Sequence, residues 1–459
     1  MTKTILKRID TTRDARLARL FELVRIPSVS TDPAYAADVR RAADWLAATL
    51  RDMGAEADVR DTEGHPMVLG HLKGPDGAPH VLFYGHYDVQ PPDPLELWET
   101  EPFEPVLRPA GDDHHIVGRG ASDDKGALMT FVEACRAWID AEGKLPLTVS
   151  FLFEGEEESG SASLPGFLND AADELACDVV LVCDSDMFDP KTPAVTTRLR
   201  GFVAEEISVS GADRDLHSGM FGNAAANALT VLTTILASLR APDGSVAIDG
   251  FYDDVAPLPT ETADAWTKLP FDGDKFLADI GLDAPAGERD RTVLEQLWVR
   301  PSCEIHGIWG GYSGPGYKTV IPCEANAKIS FRLASGQDPE RIRAIFRKHV
   351  EKRLPPDCKV TFTAQASAPA WALEPGNPYI QPVLDGLADE WGRSTTMGTG
   401  GSIPIVGALQ DALGVDALLV GFANLDNRIH SPNEKYDLSS FEKGTRSWVH
   451  VIDRISRCG

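Results

Sequence analysis

The 459-residue chain predicts an α/β protein: a doubly wound, mostly parallel sheet with a smaller α+β domain inserted into it. Three observations carry this. Apolar runs without clean alternation, near 81–84, 147–153 and 178–183, read as strands covered on both faces. Helical periodicity separates them, as in βα units. After Gly201 the pattern changes to clean alternation, which marks a sheet with one solvated face. The chain is also longer than one core normally sustains. The expected boundaries are 1–200 and 373–459 for the larger domain, and 201–372 for the smaller one inserted into it.

Leu17, Leu20, Phe21 and Val24 fall at helical spacing over about 12–25, and Pro27 closes that segment. A second helix over about 39–53 rests on Ala43, Leu46 and Leu50, with Gly54 as its cap. Short strands follow near 68–72 and 81–84. The proline-dense segment 91–109 reads as a loop, because prolines remove ladder donors. Gly118–Gly126 runs into an apolar-periodic helix, which Ser122 or Asp123 can cap. In the inserted part, strands over 202–210 and 325–333 alternate with helices over about 224–239 and 339–354; 241–300, rich in Pro, Gly and Asp, is an elaboration. The α/β style returns with a helix near 380–390, the turn Gly398–Pro404, a strand at 417–420 and a C-terminal helix carrying Trp448, Val451 and Ile455.

A formal net charge of -26 argues against nucleic acid and anionic membranes as partners, since both need clustered Lys and Arg. No apolar run is long enough to span a bilayer. The first ten residues show no secretory signal, and seven scattered cysteines without a Cys-x-x-Cys pair read as reduced, buried thiols. The expectation is a cytoplasmic protein.

Chemistry concentrates at predicted strand ends: His86, Asp88, Asp123, Glu157, Glu158, Asp184 and His430. Carboxylates crowded into one crevice repel unless protons or metal ions neutralise them. Nitrogen and oxygen donors without thiolate suit zinc, with manganese or cobalt as substitutes. One carboxylate bridging metals about 3.5–4 Å apart makes a two-metal hydrolytic site. Each residue also has a plainer reading as surface acid, helix cap or core histidine. Gly118-x-Gly120 lacks the third glycine of a dinucleotide fingerprint, and Gly398–Ser402 has no Lys for a phosphate, so nucleotide binding is not expected.

The motifs Gly85-His-Tyr-Asp-Val-Gln-Pro91, Gly118-Arg-Gly-Ala-Ser-Asp-Asp-Lys-Gly126, Glu154-Gly-Glu-Glu-Glu-Ser-Gly160, Asp215-Leu-His-Ser-Gly219 and His430-Ser-Pro-Asn-Glu434 occur in that order. Together they resemble the dinuclear-zinc metallopeptidases that include carnosinases, cytosolic non-specific dipeptidases, aminoacylases and glutamate carboxypeptidase, and the dipeptidase branch most. The resemblance covers nearly the whole chain. It implies two zinc ions per subunit, with His86 on one and His430 on the other. Asp123 would bridge them, in a cis linkage to Asp124; Glu158 would join the His430 metal and Asp184 the His86 metal. Asp186 is a rival to Asp184. Asp88 would orient His86, and Glu157 would be the general base for a bridging water. Glu156 reads as an extra surface acid.

The resemblance also implies that the inserted domain is a lid and dimerisation domain, forming a homodimer in which His217 reaches the active site of the partner subunit and stabilises the oxyanion. Arg332 would hold the substrate's C-terminal carboxylate, helped by Gly400, Gly401, Ser402 and Thr319. The implied activity is hydrolysis of dipeptides with a free C-terminal carboxylate. The alternatives are an N-acyl-amino-acid amidohydrolase using the same site and, from another class, a non-catalytic metal-binding sensor.

Overall fold

The computed structural model describes residues 2–373, 376–401 and 404–458. The chain divides into two compact units, Met1–Thr197 with Leu373–Met397 and Ile405–Gly459, and Arg198–Ala372 with Gly398–Pro404.

In the first unit the strands Glu56–Arg60, Met67–Leu72, Thr148–Glu154, His80–His86, Val179–Val182, Ala417–Leu419 and Ala194–Leu199 lie side by side in that order. The middle is parallel: His80–His86 pairs with Thr148–Glu154 on one side and Val179–Val182 on the other, and Val179–Val182 pairs with Ala417–Leu419. The flanking pairs are antiparallel. Register sets His86 opposite Glu154 and Tyr84 opposite Val182, so three parallel strands end along one edge. These strands are buried almost throughout, which is why their sequences do not alternate.

Helices Lys125–Glu142 and Leu438–Ile455 contribute to the core of this unit. Phe83 stacks on Phe131 at 3.9 Å, and Trp448 meets both rings edge-on at 5.7 and 5.2 Å. The Trp448 indole N–H donates to Thr130 Oγ1 at 2.9 Å, so the buried polar handle is satisfied. Gly143, at φ 77°, ends the first of these helices in the left-handed conformation that glycine adopts without penalty.

Several sequence expectations change here. The segment 91–109 is not wholly loop. Val106–Ala110 pairs with Asp113–Val117, which pairs with Lys435–Asp437, and Pro109 is tolerated because its strand lies at the edge. Neither Ser122 nor Asp123 caps the helix Lys125–Glu142. Asp124 occupies that position without a side-chain cap bond, and Ser122 Oγ instead accepts from Asn427 Nδ2 at 2.8 Å. An N-terminal helix, Thr2–Thr11, buries Ile5 and Ile9 ahead of the first helix expected. All seven cysteines are free, but only Cys135, Cys183, Cys303 and Cys358 are buried; Cys177 and Cys323 are half-buried and Cys458 is exposed. Among the described residues no helix is long and apolar enough to cross a membrane.

In the second unit four antiparallel strands run in the order Ser302–Gly310, Glu324–Leu333, Gly201–Ser210, Lys359–Ala368. Gly201–Ser210 alternates buried and half-buried along its whole length. Its inward Val203 and Ile207 pack with Leu232, Ile235, Phe331 and Phe346. The inward Glu205 is fully buried and accepts from Arg343 and Arg347, both at 2.5 Å. The helix expected from 224 begins only at Ala228, because Asn227 accepts from Leu229 N at 2.9 Å and fixes the start there. The outer strands Ser302–Gly310 and Lys359–Ala368 were not anticipated, since neither buries a full face.

Replacing Phe131 with Ala removes the ring that links Phe83 to Trp448. The expected cost is about 3–5 kcal/mol, measured by urea unfolding. A loss below about 1 kcal/mol, typical of surface substitutions, would show that these rings do not form the core they are assigned.

Candidate metal centre

The strand His80–His86 ends where Gly85 leaves no room for a side chain. A Cβ there would stand 2.9 Å from both Asp124 Oδ2 and Cys183 Sγ. The glycine lets the Asp124 carboxylate reach the main chain, where Oδ2 accepts from His86 N at 3.1 Å. His86 is fully buried. Its Nδ1 contacts the Asp88 carbonyl at 3.1 Å, with Asp88 Oδ1 at 3.4 Å. Donation from Nδ1 leaves the Nε2 lone pair facing outward from the turn.

That lone pair faces carboxylates. His86 Nε2 lies 3.0 Å from Asp123 Oδ1 and 4.0 Å from Asp184 Oδ2. The other oxygen of Asp123 lies 2.9 Å from His430 Nε2, which is also 3.3 Å from Glu158 Oε2. Two trios result, His86–Asp123–Asp184 and Asp123–Glu158–His430, the potential donor atoms of each lying within 4.8 Å of one another. They share Asp123. The Asp123–Asp124 peptide bond is cis. Asp186 belongs to neither trio among the described residues.

Protonation reflects the crowding. Burial would lower His86, but Asp123 and then Asp88 hold it well above its ordinary value. Hydrogen bonds to Asp123 and Glu158 raise His430 to about 10. Loss of solvent, and next the Asp123 charge, push Asp184 well above the carboxylate range. Burial raises Glu157 to about 7. Cys183, one residue before Asp184, is buried with its thiol 3.1 Å from Asp124, and burial keeps it protonated. The set therefore offers imidazole nitrogens and carboxylate oxygens without thiolate, which fits a hard or borderline divalent cation.

The Asp88 carboxylate holds the next loop: its oxygens accept from Glu157 N at 3.2 Å and Glu158 N at 3.0 Å. Glu156, expected at the surface, is buried. It accepts from His65 N at 2.9 Å and Ser163 N at 2.5 Å, tying the loop to its neighbours. Two features carried no assigned role in the sequence. Gln90 donates to Glu158 Oε2 at 2.7 Å. Glu434, the last residue of the His430 motif, is fully buried against Arg119 at 2.7 Å. The one signal for it was that it is the only acid of that motif.

The remaining predicted residues belong to the second unit. His217 is exposed, pairs with Val320 in a short ladder, and accepts from Gly219 N through Nδ1 at 3.0 Å, which leaves Nε2 as its donor. Asp215 does not hold this ring; its Oδ1 accepts from Cys323 N at 3.0 Å. Thr319 is exposed beside His217, its carbonyl accepting from Ser218 N at 3.1 Å. Arg332 is half-buried opposite Phe202, its guanidinium 4.8 Å from that ring. A Cβ on Gly400 would stand 2.6 Å from Arg200 Nη2. Gly401 N donates to Thr399 Oγ1 at 3.3 Å. Ser402 lies outside the described residues.

Comparison with known proteins identifies the family. The family model for peptidase family M20/M25/M40 matches residues 82–454. The Cys-Gly metallodipeptidase dug1 of Schizosaccharomyces pombe is 31% identical over 468 residues, covering 98% of this chain and 98% of that protein. The solved structure of the dipeptidase Dug1p from Saccharomyces cerevisiae is similar with a TM-score of 0.80 at 29% identity, covering 99% of this chain and 98% of that one. Human carnosine dipeptidase 1 gives 0.81 at 26% identity, covering 99% of both. The family match spans most of the chain, and the chain is an enzyme of peptidase family M20/M25/M40, on its dipeptidase branch.

Proposed function

We propose that the protein is a two-zinc dipeptidase that cleaves dipeptides with a free C-terminal carboxylate. The observation that carries this is Asp123, whose two oxygens face two different histidines at 3.0 and 2.9 Å. His86 and Asp184 would hold one ion with Asp123, and His430 and Glu158 the other. Manganese or cobalt can substitute on the same donors. When bound, such a pair supplies Lewis-acid character for polarising a carbonyl and acidifying water.

The chain's own residues supply the rest. Asp88 aligns His86 through its carbonyl and the Glu157–Glu158 main chain through its carboxylate. Glu157 accepts a proton from the attacking water and returns it to the departing amine as the C–N bond breaks. His217, with Nε2 as donor, stabilises the oxyanion; the family resemblance supports its acting in the active site of the partner subunit. Arg332 and the turn Gly400–Gly401, with Ser402 and Thr319, bind the substrate carboxylate. Self-association would use the second unit. Its edge strand Ser302–Gly310 exposes Ile305, Ile308 and Trp309, and an exposed apolar edge calls for a covering strand. The resemblance to cytosolic non-specific dipeptidases supports a cytoplasmic location.

Zinc-loaded protein tested against free dipeptides, C-terminally amidated dipeptides and N-acetyl-amino acids decides among the readings. Free dipeptides are expected to be cleaved fastest. Preference for N-acetyl-amino acids would favour the amidohydrolase, and zinc binding without any turnover would favour a sensor. Amidated substrates should lose at least about tenfold in kcat/KM, the effect of about 1.4 kcal/mol; equal rates would remove Arg332 from carboxylate binding.

Glu157→Gln should retain both zinc ions by elemental analysis while kcat falls about 10²–10⁴-fold. A fully loaded variant with normal turnover would eliminate Glu157 as the base. Ile308→Asp should shift the protein toward monomer in light scattering; an unchanged mass would place the interface elsewhere.

A further inference from the structure

We infer that Glu434, paired with Arg119, is a positioning residue that fixes the loop presenting Asp123 to the loop presenting His430. The inference rests on the two-metal reading above and adds to it a residue that touches no metal, substrate or reacting atom. Glu434 follows His430 by four residues and is fully buried. Its Oε2 accepts from Arg119 Nη1 at 2.7 Å and Gly120 N at 3.0 Å; its Oε1 accepts from Ser122 N at 2.8 Å and Asp123 N at 3.1 Å. An ionised carboxylate has about four acceptor sites, so this one is saturated. Three of its donors are main-chain groups of the turn that ends in Asp123. The Glu434 carbonyl also accepts from Gly118 N at 3.1 Å, extending the grip to the start of the same turn.

Arg119 carries the connection further. It is itself buried, donates from Nη2 to the Pro91 carbonyl at 3.2 Å, and lies 5.5 Å from the Trp98 ring. Pro91 directly follows Gln90, which holds Glu158. From the same loop as Glu434, Asn433 accepts from Glu99 N and donates to Leu97 O, both at 2.8 Å.

A buried ion pair is weak support for stability, because desolvation offsets most of its attraction. An apolar pair of similar volume would fill this space at least as well. It would not gather the main-chain N–H groups of one turn onto two oxygens. The geometry therefore assigns the charge to orientation: Asp123 serves both trios, and a small rotation of its turn disturbs both.

The test is Glu434→Gln, which keeps the shape but turns one acceptor oxygen into a donor facing N–H groups. Three readouts are needed: zinc affinity by competition with a chromophoric chelator, kcat and KM for a dipeptide at stoichiometric and excess zinc, and the melting temperature of the chelator-treated protein. The expected result is a zinc affinity lowered about 10–100-fold, as for other residues that orient ligands. kcat should fall at stoichiometric zinc and partly recover in excess, while KM stays close to the wild-type value, because Glu434 touches no substrate. Unchanged affinity in the folded variant overturns the inference, even if the melting temperature drops. If Glu434→Gln does not fold, Arg119→Lys retains the carboxylate and its main-chain bonds while losing the planar fork. It should weaken zinc binding in the same direction by a smaller factor, and wild-type affinity there overturns the inference too. Wild-type protein that binds no zinc and cleaves no dipeptide would instead defeat the two-metal reading, and this inference with it.

Discussion

His86 Nε2 faces Asp123 Oδ1 at 3.0 Å while its other nitrogen is turned to Asp88. A lone pair facing a carboxylate is repulsive unless a cation lies between them. The same holds across Asp123 at His430, and Asp184 and Glu158 add further acceptors on either side. Protons answer part of this demand, which is why both histidines are held above their ordinary range. Divalent ions answer it more completely, because each satisfies several acceptors at once. Much of the first unit can be understood as the means of keeping those acceptors in place.

The sheet provides the first level of control. Adjacent parallel strands end along one edge in a register fixed by their ladders, so His86, Glu157 with Glu158, and Asp184 emerge close together from distant parts of the sequence. The second level is tight packing behind the edge. Gly85 admits the Asp124 carboxylate to the His86 amide, and Gly155 faces the Tyr87 hydroxyl, which a Cβ would approach to 2.3 Å. Burial on both faces leaves these strands little freedom to slip, because a one-residue shift would reverse every side chain.

Much of this was legible in the sequence, for a physical reason. A buried parallel strand must be apolar without alternation, and an acid or histidine just past its end stands out against that background. Phe202–Ser210 was legible for the opposite reason, since its one solvated face imposes a period of two. The strand Val106–Ala110 was not, because an edge strand accepts the proline that a central strand excludes. Ser302–Gly310 lay hidden because most of its side chains are exposed, so no alternation marks it. In the sequence alone Glu156 reads as a surface acid, and nothing there gives Glu434 a role. Whether a carboxylate is solvated or saturated by main-chain donors depends on loops brought together only by the fold.

Carboxylates that accept from main-chain N–H groups reveal how the loops are joined. Asp124, beside Asp123, holds the amide of His86. Asp88, two residues past His86, holds the amides of Glu157 and Glu158. Glu434, four past His430, holds the amides of Gly120, Ser122 and Asp123. Of the segments that carry the two trios, all but that of Asp184 thus either fix the main chain of another or are fixed by one, and the segments of His86 and Asp123 do both. Apolar packing could locate these turns only roughly, because they contain few large apolar side chains. Hydrogen bonds from main-chain N–H groups to buried carboxylates locate them to the distance of a single contact. Residues joined in one such network do not act independently. The centre is therefore better described as one laced set of loops than as a list of ligands, and a change at Asp88, Asp124 or Glu434 reaches side chains it never touches.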